Sequence, residues 1–173
     1  AITAGTLAIA RGGTGTTSYT AGITAASEWR VTSNFAGDAS PIASNWAVAD
    51  DASYSSLGSA MTESSGIFTF PSTGYWRVMF QAMFLTNSGA GMLDSRIEAT
   101  INDASYDILT QGICYAATGT QYSSTNSEAI VDVTDVSNVK VRFTVLQSDD
   151  SNQSQCSSGQ LNTGASFIRL GDT

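Results

Sequence analysis

Histidine is absent from the chain. Without imidazole the usual Ser-His and Cys-His nucleophile pairs are excluded, and the commonest zinc ligand is missing. Basic charge is also scarce: seven Lys and Arg, only one of them a lysine, stand against fifteen Asp and Glu, for a net charge of −8. A surface that neutralises phosphates cannot be built at that balance, so nucleic acid is not an expected partner. Long apolar runs are lacking too. None approaches the ~20 residues that span a bilayer, and no basic-then-apolar signal pattern opens the chain, so a soluble protein without membrane insertion is expected. The two cysteines, Cys114 and Cys156, are too far apart for a Cys-x-x-Cys redox centre, and two thiols define no compartment. Segments with the helical period of 3.6 are missing throughout.

The sequence divides by composition. Residues 1–26 are mostly Gly, Thr, Ala and Ser, with Ile2, Leu7, Ile9, Tyr19 and Ile23 as their sizeable apolar side chains. That is too little to bury a core, so this stretch needs partners to be ordered. Residues 27–173 carry tryptophan, phenylalanine and β-branched residues in short runs between Ser, Asn, Asp and Gly clusters, and make one domain.

Periodicity makes that domain all-β. In "NVKVRFTV", Val139, Val141, Phe143 and Val145 alternate with polar residues, which marks a strand with one wet face. "RIEATIN" repeats the pattern, with Ile97, Ala99 and Ile101 inward. "GYWRVMFQAMFL" differs. Trp76, Val78, Phe80, Ala82 and Phe84 form one apolar face, while Tyr75, Met79, Met83 and Leu85 make the other mostly apolar as well. A strand greasy on both faces must be covered on both, and with no helix to cover the second, another copy of the chain is expected there. Further strands read at residues 28–34, 66–70, 105–115, 127–134 and 164–170 bring the total to about eight, the pattern of a jelly-roll or Greek-key β-sandwich.

"GIFTFPSTGYWRVMF" resembles a motif of the complement C1q and tumour-necrosis-factor superfamily, carried here by Phe68, Gly74, Trp76, Val78 and Phe80. Trp76 stands where that family usually has Tyr and Val78 where it usually has Phe; both keep inward bulk. "GASFIRLGDT" is similar to the family's closing strand, whereas Ser56 and Met61 depart from its upstream motif, so the resemblance is closer over residues 66–173 than over 27–65. It implies a trimeric C1q/TNF-like jelly roll. The expected trimer contacts are Tyr75, Met79 and Met83 together with Phe167 of the closing strand.

"GTLAIARGGTGTTSYTAG" raises three alternatives: a phosphate loop, a flexible linker or a wound shaft. The phosphate loop fails, because Gly12-Gly13-Thr14-Gly15 is followed by neither Lys-Ser/Thr nor a helix. The segment resembles the "VANGGTGATTA" stretch of bacteriophage tail-fibre proteins at Ala10, Gly12, Gly13, Thr14, Gly15 and Thr17, with Arg11 in place of Asn. That resemblance implies a trimeric shaft entering a globular head, on a virion surface and joined to other virion proteins through this N-terminal segment. Glycines let three backbones approach closely; a linker remains the alternative.

If eight strands alternate up and down, both chain ends of the head lie at one end and the connections near residues 35–65, 87–93, 116–126 and 148–163 lie at the opposite tip. Polar loops on a rigid scaffold are where recognition usually resides. Cys114 and Cys156 both fall toward that tip, as one disulfide or as two free thiols. Asp50, Asp51, Asp149 and Asp150 lie in loops, where acid–base chemistry would need a facing carboxylate that nothing in the sequence supplies. If loop acids converge, calcium is the chemical candidate, with Asp149 and Asp150 as its ligands; otherwise no cofactor is expected. The expected function is non-enzymatic attachment of a virion to a host cell-surface glycan or protein by a homotrimer. A capsid-surface decoration protein and a fibre-borne polysaccharide depolymerase are the alternatives.

Overall fold

The computed structural model of the chain describes residues 22–50, 54–87 and 90–173. The glycine motif Gly12, Gly13, Thr14 and Gly15 and the acidic residue Asp51 lie outside the described residues.

Alternating sequence becomes strand wherever the expectation placed one, and no helix occurs among the described residues. Twelve strands form: β1 (Ala26–Val31), β2 (Phe35–Ala36), β3 (Trp46–Val48), β4 (Thr62–Ser64), β5 (Ile67–Thr69), β6 (Gly74–Thr86), β7 (Gly91–Thr100), β8 (Asp107–Ala116), β9 (Gln121–Val133), β10 (Lys140–Gln147), β11 (Gln153–Gln155) and β12 (Gly164–Gly171). The eight expected strands correspond to β1, β5–β10 and β12. Two antiparallel sheets result. The first has seven strands, ordered β2-β11-β6-β12-β1-β3 with β9 on the free side of β6; the second has five, ordered β4-β5-β10-β7-β8. This is a jelly-roll sandwich.

The core sits between the sheets. From the first come Trp76, Val78, Phe80, Ala82, Phe84 and Phe167; from the second, Phe68, Leu93, Ile97, Val141, Phe143 and Val145, all essentially without solvent exposure. Ile101 is the exception to the expected inward set. It lies past the end of β7 and is 81% exposed, because the chain bends at Asn102, whose Oδ1 accepts from the amides of Ala104 and Ser105. Aromatic rings join the layers. Phe143 stacks on Phe80 at 4.8 Å between centroids, meets Phe68 edge-on at 5.3 Å and lies 5.9 Å from Phe167, offset and edge-on arrangements that suit the ring quadrupoles.

The sheets meet along one side, where β8 and β9 run next to each other. A Cβ on Gly112 of β8 would lie 2.2 Å from Thr125 Oγ1 and 2.9 Å from the Asn126 carbonyl of β9, so glycine alone permits this approach. On the other side the chain at residues 37–45 leaves the first sheet, pairs Ala39 with Val145 of β10 and returns to β3.

Two substitutions test this account by equilibrium denaturation. Phe143→Ala is expected to cost ~3–5 kcal/mol, as for other buried phenylalanines. Gly112→Ala is expected to cost ~1–3 kcal/mol through forced separation of β8 and β9; a neutral result would refute the packing at that edge.

Candidate functional site

The strand registers define two ends. Ala26 of β1, Gly74 of β6 and Gly171 of β12 lie at the base, whereas Thr86, Ala116, Gln121 and Gln147 lie at the tip. The connections between β6 and β7, β8 and β9, and β10 and β12 therefore gather at the tip, as parity requires. The connection from β1 to β5 departs from the expectation. Its residues 35–38 reach the tip beside Ser154 and Gln147, Ile42 lies beside Phe143 midway along β10, and Leu57 pairs with Ala26 and returns the chain to the base before β4.

The outer face of the seven-stranded sheet follows from the alternation of β6. Its inward residues fill the core, so Tyr75, Arg77, Met79, Gln81, Met83 and Leu85 point outward, half-buried or exposed. Phe167 does not join them. Its ring is 0% exposed within the single chain, packed against Phe68, Phe70 and Phe143. The expectation misassigned its parity: Phe167 pairs with Val78, an inward residue, and it is the flanking Ser166 and Ile168, opposite Met79 and Arg77, that face outward.

A cavity of about 340 Å³ opens on this face between Glu28, Tyr54, Arg77, Met79 and Ser166. Burial pushes the Glu28 carboxyl above its ordinary value. The Tyr54 hydroxyl is pushed up to about 12, by burial first and by the Glu28 charge second. Arg77 does not neutralise Glu28, because its guanidinium is held bidentately by Glu128 at 2.7 and 2.6 Å.

The β8–β9 rim is a second apolar surface, unrecognised in the sequence as an exposed one. On β8, Ile113 is 55% exposed and Tyr115 65%; Tyr122 and Ile130 of β9, 67% and 64% exposed, pair with Leu85 and Arg77 and extend the outer face of the seven-stranded sheet. The signal was present in "DILTQGICYA", where Leu109, Ile113 and Tyr115 share one parity while Cys114 and Ala116 share the other. Antiparallel counting from the approach of Gly112 to Thr125 puts Tyr115 opposite Tyr122 near the tip.

Cys114 and Cys156 are both free thiols in this structure. Cys114 lies on β8, whereas Cys156 follows β11 and is tied toward β1 by its own amide, which donates to Asn34 Oδ1 at 2.6 Å, and by that of Ser157, which donates to the Val31 carbonyl. Burial raises the Cys156 thiol to about 11, against a smaller lowering by the Thr163 hydrogen bond, so it is a poor nucleophile at neutral pH.

Among the described residues, Asp50, Asp149 and Asp150 each have separate surroundings. Asp149 Oδ1 accepts from the Ser151 amide at 2.8 Å, which holds its carboxyl below the ordinary range. Asp150 lies beside Gly37, and Asp50 pairs with Arg30 at 2.5 Å. No group of three or more Cys, Asp or Glu side chains placed to hold a metal occurs among the described residues, so Asp149 and Asp150, the calcium candidates, have no third carboxylate beside them there. The described cations are consumed internally: beyond Arg30 and Arg77, Arg96 pairs with Asp94, Lys140 with Asp103 and Arg142 with Glu98, each at 2.6 Å, and Arg169 with Asp172.

No protein-family model and no curated protein sequence matches the chain. The backbone is nonetheless similar to solved TNF-family jelly rolls. Murine APRIL, in its crystal structure at pH 5.0, is 11% identical with a TM-score of 0.62, over 84% of this chain and 98% of that one. Eiger TNF from S. frugiperda is 14% identical with a TM-score of 0.61, over 86% and 93%. Likeness at this identity establishes fold and leaves function to the surfaces. The domain is a TNF-like jelly-roll sandwich.

Two measurements check the chemistry of these sites. Reductant is expected to leave the thermal midpoint unchanged, with both thiols reacting in denaturant; a midpoint lowered by reductant would reinstate the disulfide. The raised Glu28 pKa means that its ionised form opposes folding, so the stability it contributes is full below the unfolded value of 4.5 and is lost as pH rises through the folded value. Glu28→Gln is therefore expected to raise the midpoint at neutral pH and to leave it unchanged in acid below pH 4.5.

Proposed function

We propose that this chain forms the head and adjoining shaft segment of a homotrimeric bacteriophage fibre or knob protein, which attaches a virion to a host-surface glycan or protein without catalysing a reaction. The observation that carries the trimer is a pair of different apolar surfaces on one molecule. One is the outer face of the seven-stranded sheet, with Met79, Met83 and Leu85 on β6 and Tyr122 and Ile130 on β9; the other is the outer side of β8, with Ile113 and Tyr115. Surfaces that differ and point in different directions favour head-to-tail association, which closes into a ring when the rotation allows. Each β8 side then covers the neighbour's sheet and removes exposed aromatic and aliphatic area from water.

The attachment role is supported by the two ends of the sandwich. The described chain enters and leaves at the base, which leaves the tip connections clear of the shaft. The glycine-rich segment's resemblance to phage fibres supports both the shaft and a virion-surface location, with the N-terminal segment as the joint to other virion proteins. Three equivalent tips raise weak single-site affinity by avidity. The depolymerase alternative would need two free carboxylates facing across a cleft, whereas Asp50 is paired with Arg30 and Asp149 is held by the Ser151 amide.

Light scattering on the intact chain is expected to give about three times 18.0 kDa, and Met83→Asp to give the monomer mass. A monomeric wild type, or a fully trimeric Met83→Asp protein, would overturn the assembly.

A further inference from the structure

We infer that the groove formed by residues 35–45, running from the tip down the side of the sandwich, is a subsite for an uncharged sugar, a reading that rests on the attachment role and names its ligand class. The groove encloses about 380 Å³, within the range of small-molecule sites. Its walls have the two properties a pyranose demands. Phe35 and Pro41, both half-buried, give an apolar surface for the C–H face of a ring, with Ile42 anchoring the loop to the core behind them, and Asp38, Ser44 and Asn45, all exposed, give acceptors and donors for its hydroxyls.

The groove is held in shape from behind. Ala39 and Val145 exchange two backbone bonds of 2.9 Å, the Ile42 amide donates to the Phe143 carbonyl at 2.8 Å, and Trp46 Nε1 donates to the Ile42 carbonyl at 2.7 Å. Asp38 Oδ1 accepts the Gln147 amide at 2.6 Å, which orients the carboxylate and leaves Oδ2 to accept a sugar hydroxyl in a charge-assisted bond. Fixed walls reduce the ordering cost of binding.

Charge selects among sugars. No Lys or Arg lines the groove, Asp150 adds a second carboxylate beside Gly37, and the described cations are already paired with carboxylates of the chain. An acidic sugar would meet like charge and no counter-ion, whereas a neutral hexose or N-acetylhexosamine meets only hydrogen-bonding groups and an apolar surface. The groove also lies on the side of the sandwich away from β8 and β9, so the proposed ring of three leaves it open.

Saturation-transfer NMR on the intact chain, with methyl glycosides of neutral hexoses and N-acetylhexosamines and with methyl glucuronide as probes, tests the assignment. Transfer to at least one neutral glycoside and none to the glucuronide is expected. Asp38→Asn retains the carboxamide oxygen for Gln147, and Asn45→Gly suits the backbone φ of 65° at that position; each is expected to weaken binding about tenfold with solution mass and thermal midpoint unchanged. Absence of transfer from every neutral probe, preference for the glucuronide, or wild-type affinity in both variants would overturn the subsite. Adhesion of the head to host cells is a separate readout. Equal adhesion by wild type and both variants removes the subsite and leaves attachment standing, whereas glycoside binding without adhesion to any surface removes attachment and leaves the subsite.

Discussion

The fold depends on the contact of Phe143 with both layers at once. Its ring stacks on Phe80 from the facing sheet and touches Phe68 from its own, while Phe167 and Trp46 close the group from the sides. An antiparallel sheet with one apolar face is unstable until a second sheet covers it, and here the cover is registered by aromatic rings. Because those rings come from β5, β6, β10, β12 and β3, the cluster fixes the order in which distant parts of the chain must meet. The tip connections inherit their positions from that registry.

Much of this was legible in the sequence, for a physical reason. Strands with one buried face must alternate, and in β10 Val141, Phe143 and Val145 do so, whereas β6 is apolar on both parities and its inward set was named from its larger aromatic residues. β9 shows where the signal fails. Its first half, "QYSSTNS", is polar on both parities, because Thr125 and Ser127 face inward near the closed rim while Tyr122 and Ser124 face out. Backbone pairing with β6 holds it as strand, and pairing leaves no mark in composition. Phe167 shows a different failure. Its strand is short and apolar on both parities, so sequence alone could not say which face was inward; only its register against Val78 decides. The carboxylates of the loops were equally unreadable, since convergence is a property of folded positions.

The surfaces divide the work of the molecule. The seven-stranded sheet and the β8–β9 rim hold the exposed apolar area, while cations and carboxylates neutralise one another within the chain. The exposed pair Arg77–Glu128 contributes little to stability, whereas Asp94 and Glu98 are buried and depend on their arginines. For recognition, these pairs leave a head with surplus negative charge and no free cation among its described side chains to attract anions.

The placement of both strand ends at the base also has a mechanical meaning. β1 follows directly from the N-terminal segment and pairs antiparallel with β12 along Ala26–Arg30, with β3 on its other side. A pull on the N-terminal end of β1 while the opposite end of the sandwich is held acts along these strands, perpendicular to the hydrogen bonds between them. The ladder is then loaded in shear, with its bonds sharing the force together, instead of being unzipped one bond at a time.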